Sequence, residues 1–594
     1  MAPFQLFRSF LPLHNPIGFG PPDWIELELA VLLILLLLAY SKWSEPARRF
    51  AANTRLCMIA LFLLPVLLRL ALLPHSPVPV GAGADDFAHL LAGDTLRHFR
   101  LANPAHPFHQ FFETVFVLQQ PAYSSIFPIG QGLVLAIGQL VFHLPWAGVL
   151  LSCAAICPLC YWMLRGWTTP GWALIGGLLA LFEFGPLRYW MNTYWGGAVS
   201  AVAGCLIFGA LPRLRAYGRR RDAALLGAGL GLQLLARLFE CILVAVVVAL
   251  FFVPDWRRGW RAAPVAALAL VPFLGLSLLQ NKQVTGGWTT MPYQLSRYQY
   301  GVPTTFTFQA NPTPHVALTA DQQLDYDAQV IVHGYDAESV KAYVQRLLGR
   351  IRFYRFFFPA PLYLVLPCFV LTCRDRRSVW VAAAVSTLAL GTNFYPYFYP
   401  HYIAAAVCLF VLIAVTALER LSRMQFRGYG AGQQAAVILV MLCAADFLFW
   451  YGFHLFPDNN ESIAIRQFET WNFVNHGDPE GRIGVHDQLS TAPGKQLVFV
   501  RYWPRHLFDE WVQNEAEIDR ARVVWALDLG GQENERLTRY YPDRTAWLLE
   551  PDARPPKLSP YRQEPPPVQE NPVPTTPERQ APQNNGGIQL LPIQ

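Results

Sequence analysis

The chain has 594 residues, of which 53% are hydrophobic and 14% are charged, and its formal net charge is +6. An ordinary soluble domain carries about 25% charged residues, so this composition excludes a soluble globular protein over most of the chain. The small positive charge is concentrated in short loops, which excludes a basic face for nucleic acid and bears on membrane topology instead.

Apolar stretches recur from Trp24 to Trp450, and each long one approaches the roughly 20 residues that a helix needs to cross a bilayer. Short loops rich in Arg and Lys mark the cytoplasmic side. They lie at 41–55, 212–222, 254–261, 373–377 and 419–427. With these loops inside, the sequence predicts an α-helical polytopic membrane protein with both termini outside and about twelve transmembrane helices, in a range of eleven to thirteen.

The predicted spans are 24–43, 56–73, 146–164, 171–186, 195–211, 223–237, 239–253, 262–280, 356–373, 378–392, 400–418 and 434–452. The apolar segment 129–144 is expected to lie along the interface or to re-enter the membrane. If it crossed, the three arginines at 219–221 would face outward, against the distribution of positive charge.

This topology predicts a membrane domain over 1–456 with large outer loops at 74–128 and 280–355. Residues 457–550 form a predicted small soluble α/β domain. Its strands are expected in RIGVHDQL, KQLVFVRY, RVVWALDL and TAWLLEP, and a helix is expected in HLFDEWVQNEAEIDR. Residues 551–594 contain twelve prolines and are predicted to be a disordered tail.

The first outer loop begins with two adjacent carboxylates, Asp85 and Asp86, and a third, Asp94, follows. The apolar spacing after Asp86 predicts an amphipathic helix suited to a membrane surface. One interpretation makes one aspartate a helix cap and the other a solvated charge. A helix cap explains only one of the three carboxylates. A carboxylate at a membrane face can also act as a general base, which takes a proton from an attacking hydroxyl or amine.

The same loop carries His106, His109 and Glu113 in the spacing H-x-x-H-x-x-x-E. Because Pro104 and Pro107 make a regular helix improbable there, this spacing loses the geometry of a metal site, and no metal ligands are assigned. Glu113 is interpreted either as a residue that orients a sugar hydroxyl or as an exposed interfacial charge. A divalent metal is left open as a cofactor, and no other cofactor is predicted.

Further candidates lie at predicted outer turns. Arg237 and Glu240 either brace a helical hairpin as an ion pair or provide a cation for a phosphate, since Arg matches phosphate oxygens. Tyr194 and Trp195 belong to TYWGG, and His401 belongs to NFYPYFYPHY. Such aromatic segments are typical of the membrane interface, although aromatic rings also bind sugars.

From Gly83 to Leu214 the chain contains ADDFAHLLAGDT, NPAHPFHQFFET, QPAYSSIFPIGQG and NTYWGG in this order. This string resembles an uncharacterised bacterial branch of the GT-C glycosyltransferases, the superfamily that includes aminoarabinose transferases and protein O-mannosyltransferases. Over the remaining membrane region the resemblance is one of architecture. Many members have Asp-Glu where this chain has Asp85 and Asp86.

The resemblance implies that the first-loop carboxylate is a catalytic base and that the donor is a sugar on a polyprenyl phosphate. It leaves open whether Asp85 or Asp86 is the base. Asp94, His106, Glu113, Tyr194, Trp195, Arg237, Glu240 and His401 are then expected to bind substrate. The expected protein is an inverting glycosyltransferase in the bacterial inner membrane, surrounded by lipids, which acts at the extracytoplasmic face on a lipid, glycan or protein acceptor.

Two alternatives belong to other functional classes. A carrier or flippase for a lipid-linked or small solute would place charges deep in several helices, and Arg69 and Glu183 are the candidates for such charges. A non-catalytic envelope assembly platform would act by displaying the C-terminal domain.

Overall fold

In the computed structural model, the chain is a polytopic helical membrane protein with a small C-terminal α/β region. The structure describes residues 21–39, 44–81, 83–334, 338–425, 430–457, 465, 469, 481–506 and 509–561.

The helices of the membrane region up to the second outer loop are α1 (Pro21–Ala39), α2 (Ser44–Ala52), α3 (Thr54–Ala71), α4 (Ala84–Arg97), α5 (Gly130–Phe142), α6 (Pro145–Ala154), α7 (Ile156–Leu164), α8 (Pro170–Phe184), α9 (Tyr189–Asn192), α10 (Ala198–Tyr217), α11 (Arg220–Ala236), α12 (Leu238–Phe252) and α13 (Trp256–Thr285). The remaining ones are α14 (Pro292–Tyr300), α15 (Ala320–His333), α16 (Val340–Tyr354), α17 (Leu366–Thr372), α18 (Arg376–Thr392), α19 (Val407–Ser422), α20 (Ala431–His454), α21 (Arg482–Thr491) and α22 (Gly531–Tyr540). Short 3-10 segments include Val253–Asp255, Ala360–Val365 and Pro400–Ala406.

Each of the twelve predicted spans overlaps a helical segment. Within the described ranges, six segments are long and apolar enough to cross a membrane: Thr54–Ala71, Pro145–Leu164, Ala198–Tyr217, Leu238–Thr285, Pro400–Ser422 and Ala431–His454. Leu238–Thr285 has 48 residues, enough for two crossings at 1.5 Å per residue. The 3-10 segment Val253–Asp255 divides it into α12 and α13, which correspond to two predicted spans.

Two of the predicted basic loops, 212–222 and 254–261, contact each other, and the loop 419–427 contacts the turn at Thr168. Thr168 donates a hydrogen bond to Glu419 Oε2 at 2.8 Å, and Arg215 Nε lies 2.9 Å from Asp255 Oδ2. Helices α3 and α11 lead away from this end of the helix bundle to the opposite one, where the first outer loop and Arg237 lie. The predicted basic loops that make these contacts and the first outer loop therefore lie at opposite ends of the helix bundle.

Helix α4 carries the acidic pair and packs closely on α5, the predicted re-entrant or interfacial segment. A methyl group on Gly93 would lie 2.7 Å from Leu135 Cβ, and one on Gly132 would lie 2.9 Å from Ala92 Cβ. Glycine at both positions therefore allows this close approach. The predicted amphipathic helix of the first outer loop is thus covered along this face by α5.

The described residues contain two small β-sheets, one in the first outer loop and one in the C-terminal region. Strands β1 (Asn103–Pro104) and β2 (Val117–Leu118) each pair antiparallel with β3 (Ala122–Ser125) in the first outer loop. The C-terminal sheet has the order β5-β4-β6-β7, from β4 (Lys495–Val500), β5 (Val523–Leu527), β6 (Arg544–Glu550) and β7 (Lys557–Pro560). Strands β4, β5 and β6 are parallel, and β7 is antiparallel to β6.

The predicted small α/β region and three of its four predicted strands are confirmed, whereas the predicted strand RIGVHDQL and the predicted helix are wrong. RIGVHDQL forms helix α21 instead of a strand. The segment predicted as a helix has only a 3-10 turn, Ile518–Arg520, among its described residues. Strand β7 extends the sheet into the segment that was predicted to be a disordered tail, and residues 562–594 of that segment lie outside the described residues.

The C-terminal sheet and the first outer loop share one hydrophobic core. Leu91, Phe111 and Phe112 from the loop are buried together with Leu497 and Phe499 from β4. The rings of Phe111 and Phe499 lie 6.4 Å apart. The C-terminal region is therefore packed against α4 and is part of the structure that holds the acidic pair in place.

Candidate active site

Asp85 and Asp86 occupy the first turn of α4, where the helix dipole favours negative charge. The N-cap position is Gly83, and no side chain caps the helix there. Neither aspartate is therefore the cap that one interpretation of the sequence proposed. The two carboxylates are separated by about 100° around the helix, so they face different surroundings.

Asp86 is buried, and its carboxylate accepts a hydrogen bond from the backbone N–H of Tyr194 at 2.7 Å. The Tyr194 hydroxyl donates to the Pro79 carbonyl at 2.9 Å, and Gln131 donates to the Tyr194 carbonyl at 3.1 Å. These contacts fix the TYWGG turn against the start of the outer loop. The turn needs glycine at Gly197, where φ is +110°.

Asp85 is half-buried and lies where the charge of Arg237 acts on it. Burial and the nearby charge of Asp86 together raise the pKa of the Asp85 carboxyl to about 7, and the charge of Arg237 opposes both effects. Among the described residues, none other than Asp85 itself donates a hydrogen bond to this carboxylate. Such a carboxylate is ionised in about half of the molecules near neutral pH and remains able to accept a proton.

Arg237, the residue between α11 and α12, is held in place by residues of three segments. Its Nη1 lies 3.3 Å from Glu240 Oε1, and its guanidinium lies 4.2 Å from the centre of the Tyr402 ring. The Tyr395 hydroxyl donates to Glu240 Oε2 at 3.3 Å. Since the Arg237 side chain is still 27% exposed, its remaining N–H groups are accessible to an anion.

Aromatic side chains form a wall beside this pair. The Tyr399 and His401 rings are stacked with an interplanar angle of 2°, and Trp195 meets Tyr399 edge-on at 5.5 Å between ring centres. The Tyr189 hydroxyl and His401 Nδ1 are 3.1 Å apart. Trp195 and His401, predicted from separate segments, therefore lie together, and Tyr399 and Tyr402 both experience the charge of Asp85.

His89 belongs to the same site, although the sequence analysis did not select it. It follows Asp85 by one helical turn, and its ring stacks on Phe127 at 4.6 Å between centres. Burial and the charge of Arg237 lower the pKa of His89 to about 3, so its imidazole is neutral. Its buried Nδ1 has no hydrogen-bond partner among the described residues. The i, i+4 spacing from Asp85 was the available signal in the sequence.

We refer to the set brought together here as the Asp85 cluster. Its members are Asp85, His89, Trp195, Arg237, Glu240, Tyr399, His401 and Tyr402. Asp86 and Tyr194 lie next to the cluster and hold its backbone in place.

Two predicted substrate-binding residues lie elsewhere. The Asp94 carboxylate accepts a hydrogen bond from the backbone N–H of Ala516 at 2.7 Å. His106 Nε2 lies 3.1 Å from Asp519 Oδ1 and 3.1 Å from the Tyr541 hydroxyl. Both side chains therefore join the first outer loop to the C-terminal sheet, and the structure does not bring them to the Asp85 cluster.

Glu113 also lies apart from the Asp85 cluster. It lines a small pocket of about 20 Å³ between the two outer loops and the C-terminal region, together with Asp321, Gln322, His506 and Glu510. Gln322 donates to Glu113 Oε2 at 3.0 Å. Burial raises the pKa of Glu113. This side chain is therefore neither a solvated charge nor adjacent to Asp85.

In the part of the chain that the structure describes, no group of three or more His, Cys, Asp or Glu residues could hold a metal ion.

The two charged residues that a carrier would place deep in the membrane both have partners. Arg69 is fully buried and donates to Asn192 Oδ1 at 2.8 Å and to the Ser76 carbonyl at 2.9 Å. Glu183 forms a buried ion pair with Arg188.

Neither a protein-family model nor a curated protein sequence matches the chain. Solved structures similar to it include ArnT from Cupriavidus metallidurans in the apo state, with 12% identity and a TM-score of 0.48 over 83% of this chain and 92% of that chain. ArnT bound to undecaprenyl phosphate gives 12% identity and a TM-score of 0.47 over 83% and 92%. The Archaeoglobus fulgidus oligosaccharyltransferase in complex with Zn and sulfate gives 10% identity and a TM-score of 0.41 over 82% and 67%.

Proposed function

We propose that the protein is an inverting glycosyltransferase that uses a polyprenyl-phosphate-linked sugar, with Asp85 as the catalytic base. The observation that carries this proposal is a half-buried carboxylate, with no hydrogen bond from another described residue, that lies close enough to the partly exposed guanidinium of Arg237 to feel its charge. The pair lies at the end of the bundle opposite the basic loops. With those loops in the cytoplasm of a bacterial inner membrane, the Asp85 cluster faces the extracytoplasmic side.

The proposed transfer needs only the donor, the acceptor and Asp85. Asp85 takes the proton from an acceptor hydroxyl or amine while that atom forms a bond to the anomeric carbon. The bond between the anomeric carbon and the phosphate oxygen breaks, and its electron pair leaves with the polyprenyl phosphate. Attack from the face opposite the phosphate inverts the anomeric centre.

Arg237 is proposed to stabilise the negative charge that develops on the phosphate. A guanidinium can donate two hydrogen bonds to phosphate oxygens, and in a partly buried site such donors act strongly on developing charge. Glu240 and the Tyr402 ring hold this guanidinium in place, so Arg237 does not need to reorganise when the donor binds.

Asp86 is proposed as a positioning residue, and Asp85 is therefore proposed as the base of the two aspartates that the sequence left as alternatives. Its carboxylate is buried and bonded to the Tyr194 N–H, whereas Asp85 has its acceptor capacity available. The wall formed by Trp195, Tyr399 and His401 provides aromatic faces on which a sugar ring can stack.

The two alternative functions have less structural support. A carrier would need buried charges that are available to a solute. Arg69 instead donates hydrogen bonds to Asn192 and the Ser76 carbonyl. Glu183 forms an ion pair with Arg188. A display platform would need a C-terminal region separable from the membrane domain, but that region shares its core with the first outer loop.

The test is donor consumption by the full chain in liposomes with a panel of polyprenyl-phosphate sugars and a membrane extract as the acceptor source. We expect release of free polyprenyl phosphate by the wild type and none above background by Asp85→Asn. The matched control is Asp94→Asn, which removes a carboxylate from the same helix outside the Asp85 cluster and should retain turnover per folded molecule. Equal release by Asp85→Asn and the wild type would refute the assignment.

A further inference from the structure

Part of the aromatic wall beside Asp85 comes from one segment, residues 393–402, which follows α18. We call it the aromatic segment. It supplies three members of the Asp85 cluster: Tyr399, His401 and Tyr402. Its first part, 393–399, belongs to neither a helix nor a strand. The backbone groups of that part therefore need hydrogen-bond partners from elsewhere in the chain.

Arg350 of helix α16, in the second outer loop, provides several of these partners. Its Nη1 donates to the Thr392 carbonyl, the last residue of α18, at 2.8 Å. Its Nη2 donates to the Tyr395 carbonyl and lies 3.4 Å from the Tyr397 carbonyl. Arg350 is only 3% exposed, and its guanidinium lies 5.0 Å from the centre of the Phe398 ring. The fixed fork of this guanidinium thus joins the end of α18 to the aromatic segment.

A second arginine, one turn earlier on α16, makes the same kind of contact. Arg346 Nε donates to the Asn393 carbonyl at 2.7 Å, and Arg346 Nη2 donates to Glu338 Oε2 at 2.7 Å. The Asn393 side chain donates in return to the Tyr343 carbonyl at 2.9 Å. Helix α16 therefore holds the aromatic segment from two successive turns.

The aromatic segment in turn contacts the residues that hold Arg237. The Tyr395 hydroxyl donates to Glu240 Oε2 at 3.3 Å, and Glu240 Oε1 lies 3.3 Å from Arg237 Nη1. The Tyr402 ring lies against the Arg237 guanidinium, at 4.2 Å from its ring centre. Because Arg350 donates to the backbone of Tyr395 itself, a continuous series of contacts runs from α16 to Arg237.

We propose that Arg350 is a positioning residue, which sets the place of Arg237 by holding the aromatic segment. This inference rests on the proposed function, in which Arg237 binds the phosphate of the donor. Arg350 acts through the segment, because its guanidinium is buried against backbone carbonyls. Without the fork of Arg350, Tyr395 and Tyr402 are free to shift, and Arg237 then has to reorganise when the donor binds.

The experiment is a double-mutant cycle, with undecaprenyl phosphate as the probe and native mass spectrometry of the full chain in detergent as the measurement. Arg237→Gln should weaken binding roughly 10-fold to 150-fold, since a hydrogen bond to a charged group is lost. Arg350→Lys keeps the positive charge but removes the fork, and it should weaken binding about 5-fold, the equivalent of about one hydrogen bond. In the Arg237→Gln background, Arg350→Lys should have no further effect, because Arg350 acts through Arg237.

Hydrogen–deuterium exchange of the ligand-free chain is the second measurement, since it does not depend on donor binding. Arg350→Lys should speed exchange in peptides that cover 393–402. The control is Lys341→Gln, a larger change of charge at an exposed position of the same helix, which should alter neither exchange nor binding. A melting curve for each variant shows that the chain is folded.

The outcomes separate this inference from the proposed function. Unchanged binding or unchanged exchange in Arg350→Lys would overturn the inference alone. An equal effect of Arg350→Lys with and without Arg237 would also overturn it, because Arg350 would then act by another route. Equal binding of undecaprenyl phosphate by the wild type and Arg237→Gln would refute the proposed function and this inference together.

Discussion

The Asp86 carboxylate accepts a hydrogen bond from the backbone N–H of Tyr194 at 2.7 Å, across 108 residues of sequence. This contact fixes the first turn of α4 against the turn that precedes α10. Since neighbouring residues of a helix point about 100° apart, fixing Asp86 inward directs Asp85 toward Arg237 and the aromatic wall. This difference in surroundings is the basis for proposing Asp86 as a positioning residue and Asp85 as the base.

The two aspartates should respond differently to substitution. We expect Asp85→Asn to lower turnover by about 10²–10⁴-fold without loss of stability, because a general base is removed and a half-buried charge disappears. Asp86→Ala should lower the free energy of unfolding by about 1.5–3 kcal/mol, the range for a hydrogen bond to a charged group. Asp86→Asn keeps an acceptor for the Tyr194 N–H and should recover much of that stability. Donor consumption and melting temperature, measured together, check both expectations, and the reverse pattern would reject the assignment.

The pH dependence of transfer should report the ionisation of Asp85. Its pKa of about 7 predicts that activity rises between pH 6 and 8, since the base acts in the ionised form. Arg237 lowers this pKa and Asp86 raises it, so Arg237→Gln should shift the rise to higher pH and Asp86→Asn should shift it to lower pH. A purely structural role for these two residues would change the amplitude of the profile without these opposite shifts.

His89 should contribute to binding through its free Nδ1. His89→Phe retains a ring that can stack on Phe127 but removes the nitrogen, whereas His89→Ala removes both. We expect both variants to raise the KM for the donor or acceptor, by roughly 2-fold to 12-fold for the loss of one neutral hydrogen bond. Only His89→Ala should also lower the melting temperature. An unchanged KM for His89→Phe would show that Nδ1 does not contact substrate.

Stability should fall between acid and neutral pH because of Glu510. This carboxylate accepts a hydrogen bond from the Val115 N–H at 3.4 Å, and burial raises its pKa to about 7. An unfolded Glu has a pKa near 4.3, so the folded form binds the proton more tightly. The contribution of Glu510 is then complete below about pH 4 and is lost as the pH rises through 7. Melting curves at pH 5 and 8 should show a smaller difference for Glu510→Gln than for the wild type, and an equal difference would contradict this account.

Much of the membrane fold could be predicted from the sequence, because hydropathy and the distribution of arginine are local signals. Each predicted span overlaps a helical segment, and two of the predicted basic loops contact each other through Arg215 and Asp255. Asp85, Arg237 and His401 were placed at a common face by the same reasoning. The structure brings them into one site because the helices that carry them end there.

The C-terminal errors arise from tertiary contacts that no local pattern contains. In the segment predicted to be a helix, the N–H groups of Trp511 and Val512 point to the Tyr502 hydroxyl, at 2.8 and 3.1 Å. Asn514 pairs with the backbone of Trp525 on β5. These partners replace the hydrogen bonds of a helix. The sequence also does not reveal that the C-terminal region packs on the first outer loop, where His106 and Asp94 contact it. Their role in substrate binding stays a prediction.

The central claim is tested most directly by a cryo-EM structure of the full chain in a lipid nanodisc with added undecaprenyl phosphate, the product-like form of the proposed donor. The account predicts density for a phosphate within hydrogen-bond distance of the Arg237 guanidinium, with an open space between it and the Asp85 carboxylate that a sugar would fill. A phosphate bound away from Arg237, with Asp85 facing bulk solvent, would contradict it.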